Sequence, residues 1–218
     1  EARRGFGQPH LEGVAIERAQ AVVEFDLDGT ILCANENFLK LMGYQREEIV
    51  GQHHRIFVEP VESATAEYRQ FWVDLKNGES RKQVFGRLTK NGRKVWLQAV
   101  YAPVKDEMGR VFKVVKIATD VTDEVNASNM LRDAVEQAQQ VTAAARAGDL
   151  SQRIPLEGKS GPILALCEGV NELMGNTAVI FEDVGRVFGA LAAGDLSQRV
   201  TRDYEGTFGE VKRDANAT

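Results

Sequence analysis

The spacing of hydrophobic residues changes near residue 122, and this change divides the chain into two parts. Before it, short runs such as "AVVEF" (21–25) and "TILCA" (30–34) are rich in β-branched and aromatic residues, which indicates strands. After it, apolar residues recur every three and four positions, which indicates amphipathic helices. The pattern predicts an α+β domain followed by an all-helical region.

The first part is predicted to contain two strands, a helical middle and three further strands. The helical segments cover 35–50 and 68–78, and the second ends at an Asn-Gly pair. The runs "RKQVFGRLTK", "RKVWLQAVYAPV" and "RVFKVVKIAT" are separated by turn sequences and predict a three-strand meander. Together these elements form a five-stranded antiparallel sheet with helices over one face.

Both faces of the long strands carry apolar side chains. Trp96 and Val100 point to one face of the sheet, and Leu97 and Tyr101 point to the other. One face covers the internal core, so the other is expected to need a cover, from the segment 11–20 or from a second subunit.

The second part follows a heptad pattern in one continuous frame. A stripe of three adjacent positions is wider than a two-stranded coiled-coil seam and favours a four-helix core. Position a holds Ile163, Val170, Thr177, Val184 and Leu191, position d holds Leu166, Leu173, Ile180 and Val187, and the series beside d is Cys167, Met174, Phe181 and Phe188.

The sequence "AGDLSQR" occurs at 147–153 and again at 193–199. Each copy is predicted to end a helix at its glycine and to begin an extended connector to a second, parallel helix. Two such helices cannot bury their apolar stripe alone, so two chains are expected to form a parallel four-helix bundle. The alternative is a plain coiled coil interrupted by loops. The proposed end and anchor residues are Gly148, Leu150 and Ile154 in the first copy and Gly194, Leu196 and Val200 in the second.

Composition and charge narrow the range of functions. The formal net charge is −5 and no basic stripe is present, which argues against nucleic acid as a partner. No apolar run approaches the roughly 18 residues of a membrane span, and the first thirty residues lack a signal-peptide pattern, so a cytoplasmic location is predicted. Cys33 and Cys167 match no metal or disulfide spacing and are predicted to be core residues.

The motifs of the second part resemble tandem HAMP domains, the relay modules of bacterial receptors and sensor kinases. This resemblance covers about 124–218; "GKSGPIL" lacks the acidic residue usual at the start of the second helix, which Glu210 supplies in the later copy. The proline often found early in the first helix is also absent.

The motifs "FDLDGTILCANENFLKLMGY", "EEIVGQHHRIFV" and "VWLQAVYAPVKDEMGRVFKVVKIATDVT" resemble the PAS domains of methyl-accepting chemotaxis proteins. The expected domains are an N-terminal helical cap or linker at 1–20, a PAS domain at 21–122, and HAMP domains at 123–176 and 177–218, the last truncated.

These resemblances imply the sensory and relay portion of a soluble, non-enzymatic chemotaxis transducer. The PAS domain would sense a ligand, redox state or gas and pass the signal through a homodimeric HAMP bundle to a kinase-control domain absent here. That domain would engage a chemotaxis histidine kinase and an adaptor. Alternatives are the input region of a sensor histidine kinase or nucleotide cyclase, and a PAS module that only dimerises.

Asp120 and Thr122 are the residues that this resemblance assigns to coupling the sheet to the exit helix. Either side chain can also cap a helix that begins at "DEVNASNML", which is an independent physical reason for their position.

The stretch "FDLDGT" also satisfies the signature of haloacid dehalogenase phosphatases, with Asp26 as nucleophile and Asp28 as acid-base. Asp120 and Asp123 would then hold Mg²⁺. Such an enzyme needs a parallel sheet built from βαβ units, whereas "TILCA" follows the acidic stretch at once as a hairpin. The aspartates are therefore interpreted as turn residues.

His53 and His54 are the candidate cofactor contacts, since related PAS domains hold b-type heme through a histidine in this region. Adjacent residues point in different directions, so only one could ligate iron. Trp72 and Trp96 are candidates for lining a cofactor pocket, although core packing is the simpler interpretation. A flavin is a further candidate by analogy with redox-sensing relatives, and an unliganded domain is the remaining alternative.

Overall fold

The computed structural model describes residues 20–217, which fall into two compact units divided between Val125 and Asn126. Each unit is described by itself. The predicted N-terminal cap or linker at 1–20, including the segment proposed to cover the sheet, lies outside the described residues apart from Gln20.

The first unit is built on a five-stranded sheet, as the sequence predicts. The spatial order is β2-β1-β5-β4-β3 and every neighbouring pair is antiparallel. This order places the first hairpin beside the last strand of the meander. The strands are β1 (Ala21–Phe25), β2 (Ile31–Ala34), β3 (Arg81–Leu88), β4 (Lys94–Lys105) and β5 (Val111–Asp120).

Short helices connect β2 to β3. The helical segment predicted at 35–50 is divided, because Gly43 adopts φ 76° and its N–H caps the preceding helix at the Leu39 carbonyl. At the other end of that helix, the Asn35 side chain accepts a hydrogen bond from the Phe38 N–H at 2.9 Å. The helices are α1 (Glu36–Met42), α2 (Arg46–Ile49), a 3₁₀ turn (His54–Phe57), α3 (Pro60–Ser63) and α4 (Ala66–Lys76).

The core lies between these helices and one face of the sheet. Leu97 and Tyr101 are fully buried on the inner face, while Trp96 and Val100 are only partly buried on the outer face, so the predicted division of the strand is confirmed. The inner face also carries Phe25, which packs at 5.4 Å between ring centroids against Trp72. The first unit therefore has a complete aromatic core within one chain.

The hairpin between β1 and β2 excludes the phosphatase arrangement. One carboxylate oxygen of Asp26 accepts hydrogen bonds from the N–H groups of Asp28 at 2.9 Å and Thr30 at 2.8 Å. These bonds close the turn, and the strands that follow pair antiparallel. Asp26 is a turn residue in this fold, as interpreted from the sequence.

The two cysteines differ, and the prediction that both are core residues is wrong for one of them. Cys167 is buried, whereas Cys33 is half-buried on β2 beside Glu24. Burial, followed by the nearby Glu24 carboxylate, raises the pKa of the Cys33 thiol to about 12. This thiol is therefore protonated and unreactive at neutral pH.

The second unit is helical. Helices α5 (Thr122–Arg146) and α6 (Gly161–Ala192) are each followed by a glycine with positive φ, 91° at Gly148 and 82° at Gly194, as the repeat predicts. The last helix is α7 (Gly206–Ala217). Between residues 20 and 217 no helix is both long and apolar enough to cross a membrane.

Helix α6 is continuous through the boundary predicted at 176/177, but its buried face changes along its length. In the first half Cys167 and Met174 are buried, and in the second half Ile180 and Val187 are buried. The position a residues of the stripe are partly buried. Four other large stripe residues stay open to solvent within one chain: Leu166 (63% exposed), Leu173 (59%), Phe181 (67%) and Phe188 (49%).

Candidate functional site

A buried histidine lies at the centre of the first unit. His54 is fully buried, and its two ring nitrogens are each 2.9 Å from a phenol oxygen, Nδ1 from Tyr68 and Nε2 from Tyr101. Burial, and then the charges of Arg87 and Lys116, hold the pKa of His54 well below its ordinary value. His54 is therefore neutral at pH 7, with one nitrogen donating and the other accepting a hydrogen bond.

Two cationic side chains are buried beside this histidine. Lys116 points from β5 into the core, where its Nζ lies 5.0 Å from the centre of the Tyr101 ring and 5.6 Å from that of Phe38. Nζ has no hydrogen-bond partner among the described residues. Cation–π contacts offset only part of the cost of burying an ammonium group.

Arg87, on β3, is the second buried cation. Its Nη1 donates to the Gly86 carbonyl at 2.7 Å and to the half-exposed Glu62 carboxylate at 3.2 Å. Its Nε has no partner among the described residues, and its guanidinium carbon lies 4.9 Å from the centre of the Phe85 ring.

The two cations change the acidity of their neighbour. Burial alone would raise the pKa of Tyr101, but the charges of Lys116 and Arg87 outweigh it, so the pKa is lowered. Burial also lowers the pKa of Lys116. The interior is therefore positively biased and short of hydrogen-bond acceptors.

A surface cavity of about 410 Å³ lies against the same cluster. Tyr68 and Trp72 form part of its wall, and His53, Arg55, Arg69 and Lys76 contribute polar groups. The buried Trp72 Nε1 has no hydrogen-bond partner among the described residues. Since Tyr68 also bonds to His54, this side chain stands between the cavity and the buried histidine.

The wall of the cavity depends on a close approach by the backbone. Gly29 adopts φ 89°, and a Cβ atom there would lie 2.7 Å from the indole of Trp72. Only glycine fits this position without moving the tryptophan. The sequence "DLDGT" thus sets the position of Trp72 as well as the hairpin turn.

The structure separates the four residues predicted to contact a cofactor. His53 and Trp72 meet at the cavity, with 5.9 Å between ring centroids, and His54 lies behind them in the core. Trp96 lies on the outer face of the sheet beneath Lys94, at 5.1 Å, and does not line this cavity. The core interpretation favoured for both tryptophans holds for Trp72, which is buried, but not for Trp96, which is half-buried because it occupies the opposite strand parity from Leu97.

The histidines are poorly placed for heme. Both nitrogens of His54 are engaged by tyrosines, and Nδ1 of His53 accepts a hydrogen bond from the Arg55 N–H at 3.0 Å. Heme ligation by His54 would break a buried hydrogen bond in the core. The relatives described below give heme no support either.

The end of β5 is tied to the start of α5 by the predicted coupling residues. The Thr122 hydroxyl oxygen accepts a hydrogen bond from the Trp96 N–H at 2.9 Å and donates to the Asp120 carboxylate. Asp120 also accepts from the Thr122 N–H at 3.0 Å. The same two residues therefore join the end of β5 to the backbone of β4 and to the first residue of α5.

The first connector of the helical unit has an internal hydrogen-bond network. Asp149 accepts from the Ser151 N–H at 2.9 Å and from its hydroxyl at 2.6 Å. Asn171 on α6 donates to the Ile154 carbonyl at 2.8 Å and accepts from the Ile154 N–H at 2.7 Å. Ile154 is buried and Leu150 packs against the same apolar cluster.

The second connector repeats this geometry. Asp195 accepts from the N–H and hydroxyl of Ser197 at 2.9 Å and 2.6 Å, and Asn216 holds the backbone of Val200 at 2.7 Å and 3.0 Å. Val200 is buried, whereas Leu196 is 64% exposed, unlike its counterpart Leu150. The repeat in sequence is therefore a repeat in structure, apart from that leucine and from the asparagine, which lies 16 residues after Val200 but 17 residues after Ile154.

Sequence reasoning missed four residues of the interior cluster. Tyr68 and Arg87 belong to no recognisable local motif. Lys116 is a single polar residue within a predicted strand, which by itself does not indicate a site. Tyr101 was assigned to a face but not to a site. The parity of β5 is the signal that finds Lys116, because Val114 and Ala118 on either side of it point into the core.

Comparison with known proteins identifies the first unit. Residues 31–118 match the PAS fold family and form a PAS domain. The biofilm dispersion protein BdlA of Pseudomonas aeruginosa is 48% identical over 107 residues, which cover 49% of this chain and 26% of that protein. The methyl-accepting chemotaxis protein McpB of the same organism is 37% identical over 118 residues, 50% of this chain and 17% of that protein.

Two further similarities concern sensory proteins. The aerotaxis receptor of Escherichia coli is 33% identical over 99 residues, 45% of this chain and 19% of that protein. A solved light-oxygen-voltage domain, studied with a flavin analogue, matches with a TM-score of 0.46 and 24% identity over 58% of this chain and 96% of its own. The chain spans about a quarter or less of the length of these three curated relatives.

Proposed function

We propose, from the identity of residues 31–118 as a PAS domain related to chemotaxis receptors, that this chain is the sensory and relay portion of a chemotaxis transducer. In this proposal the PAS domain at 21–122 detects a chemical signal, and HAMP domains at 123–176 and 177–218 pass it on. The output is a kinase-control domain that engages a histidine kinase and an adaptor.

The observation that carries the proposal is the Asp120–Thr122 link. Thr122 contacts the backbone of β4 and also begins α5, a helix of 25 residues. A displacement of the sheet is therefore transmitted to the start of a rigid element rather than to a loose linker. A ligand that binds two conformations of the sheet with different affinities would shift the equilibrium between them. The conformation of the attached helix would shift with it.

The helical unit is proposed to act as a homodimer. Leu166, Leu173, Phe181 and Phe188 are exposed along α6 in the single chain, although large apolar side chains on one helix stripe favour burial. A second chain placed parallel to the first would cover them and complete two four-helix bundles. The repeated connectors support a two-module relay.

The relay is tested in a fusion of the full chain to the kinase-control domain of a chemotaxis transducer, reconstituted with kinase and adaptor. Thr122→Ala removes the contacts to Trp96 and Asp120, so we expect kinase activity to change several-fold. Thr119→Ala, on β5 next to Asp120 but outside the link, is the matched control. Equal kinase activity in wild type and Thr122→Ala would contradict the proposal. If the chain regulated a sensor-kinase or cyclase output domain in such fusions, but not the chemotaxis domain, those alternatives would be favoured.

A flavin is a candidate ligand of the PAS domain, and the cavity beside Tyr68 and Trp72 offers partners for its phosphate and its ring. Arg55 and Arg69 form no ion pair among the described residues and suit a phosphate, while Trp72 suits stacking with a planar ring. A bound flavin would supply a redox-active ring. The purified chain would then show flavin absorption that Trp72→Ala abolishes and Trp96→Ala retains. Colourless wild-type protein from flavin-supplemented cells would contradict flavin binding.

A further inference from the structure

The interior of the PAS domain holds three buried polar atoms that lack hydrogen-bond partners among the described residues. They are Trp72 Nε1, Arg87 Nε and Lys116 Nζ. All three are donors, and buried donors are normally paired because an unpaired one loses its bonds to water. The acceptors that interact with these side chains are neutral tyrosine hydroxyls, Tyr101 for Lys116 and Arg87 and Tyr68 for Trp72. In the described part of the chain the cluster therefore has donors and cations but no buried charged acceptor.

The three donors belong to one cluster of rings. Lys116 lies over Tyr101, and Arg87 lies over Phe85, whose ring centroid is 5.1 Å from that of Tyr101. Trp72 joins the same cluster through His54, at 5.5 Å, and His54 is 5.7 Å from Tyr101. Donors on three separate elements therefore surround the same aromatic group.

The charge of the cluster has a definite sign. No carboxylate lies within ion-pair distance of Lys116 in the described part of the chain, and Arg87 pairs only with Glu62, at the surface. Neutral His54 adds no charge. A fully buried ammonium without a counter-ion is strongly disfavoured, and a bound anion is a direct way to compensate it.

We propose that this interior binds a small organic carboxylate, which Lys116 and Arg87 hold and which enters through the cavity at Tyr68 and Trp72. The proposal rests on the sensory function proposed above and names its ligand class. A carboxylate presents two oxygens that accept several hydrogen bonds, which matches the three donors. The surrounding rings of Phe25, Phe71 and Tyr101 suit a small apolar body better than a hydrated inorganic anion.

The size of the ligand follows from the packing. The rings of Phe71 and Tyr101 are 4.9 Å apart, and those of Phe25 and Tyr101 are 6.2 Å apart. These contacts leave no slot for a fused three-ring group in the core. In this proposal a ligand of a few carbon atoms is admitted when the Tyr68 and Trp72 side chains, which form part of the cavity wall, turn outward.

The test uses the full chain titrated with sodium acetate, sodium succinate and sodium benzoate, against sodium chloride at equal ionic strength. Calorimetry gives the Kd, and tryptophan fluorescence gives the unfolding midpoint. We expect at least one carboxylate to bind and to raise the midpoint, with affinity at least tenfold weaker in Lys116→Met. Lys82→Met, on an exposed part of β3, is the matched control and should bind as wild type does.

Arg87→Gln is a second variant, and it provides the test if Lys116→Met does not fold. We expect it to weaken binding tenfold as well. Failure of all three carboxylates to bind the wild-type chain would overturn the proposal, as would unchanged binding in both variants. The relay has its own readout, because Thr122→Ala is expected to change kinase activity without added ligand. If that change is seen but no carboxylate binds, only the ligand proposal is wrong; if a carboxylate binds but the change is absent, only the relay proposal is wrong.

Discussion

The two units of this chain bury their large apolar side chains in different ways. In the PAS domain the rings of Phe25, Phe38 and Tyr101 are fully covered within one chain, whereas Leu173 and Phe181 on α6 are 59% and 67% exposed. A domain with a closed core folds alone, but a helix with an uncovered apolar stripe needs a partner. The difference shows that the first unit closes its core within one chain, whereas α6 leaves an apolar stripe uncovered, which a second chain covers in the proposed dimer.

The largest expected effect tests whether the PAS core is self-sufficient. Phe25→Ala removes a fully buried ring that contacts His54 and Trp72, so the free energy of unfolding should fall by about 3–5 kcal/mol. Both tryptophans of the chain lie in this unit, so urea unfolding followed by tryptophan fluorescence reports it selectively. Phe112→Ala, at a half-exposed ring on β5, should cost much less; equal losses would contradict the distinction.

The next prediction breaks the shared core of the helical unit. Leu173→Glu places a charge in the proposed dimer interface, so the dimer should dissociate with a Kd raised about a hundredfold or more. Sedimentation velocity measures this change. Val61→Glu, at an exposed apolar residue of the PAS domain, is the control and should leave the dimer intact. A dimer of unchanged affinity in Leu173→Glu would show that α6 does not form the interface.

A smaller effect sharpens the comparison between the two connectors. Asn171→Ala removes both hydrogen bonds to the backbone of Ile154, and we expect a loss of about 1–3 kcal/mol in the unfolding of the helical unit. Circular dichroism at fixed protein concentration measures it. Asn216→Ala should cost a similar amount at Val200, since its side chain makes the same pair of hydrogen bonds to the backbone. A loss at only one position would mean that the connectors are not equivalent.

The smallest effect is a pH dependence of the PAS domain alone. The pKa of His54 is lowered in the folded state, so unfolding takes up a proton once the pH falls below the ordinary histidine value of about 6.5. Stability is therefore greatest above that pH and decreases below it, with a slope approaching about 1.4 kcal/mol per pH unit. The pKa of His53 is lowered too and acts in the same direction.

Urea titrations between about pH 7.5 and 5.5 measure this slope above the range in which carboxylates titrate. His54→Gln keeps a hydrogen-bonding side chain and should lose most of the slope, while His53→Gln should retain most of it. An equal slope in wild type and His54→Gln would mean that His54 is not the buried neutral group.

The strands, the meander and the helix ends were predictable because each depends on local sequence. Alternation gives β4 and β5, and the glycines at 148 and 194 end α5 and α6. The interior cluster was not predictable, because His54, Arg87 and Lys116 lie on three different elements and meet only after folding. Trp96 shows the opposite error, since its size favoured a core position and the strand places it, half-buried, on the outer face.

The central claim is that a PAS domain complete in one chain drives a helical relay shared by two parallel chains. Disulfide cross-linking tests it most directly, with Leu166→Cys and Phe188→Cys made separately after Cys33 and Cys167 are replaced by alanine. These positions lie roughly 33 Å apart along α6, at a rise of about 1.5 Å per residue. A parallel dimer brings each position close to its own copy, so both variants should form cross-linked dimers under mild oxidation. Cross-linking at neither position, or at only one of them, would contradict the parallel shared relay.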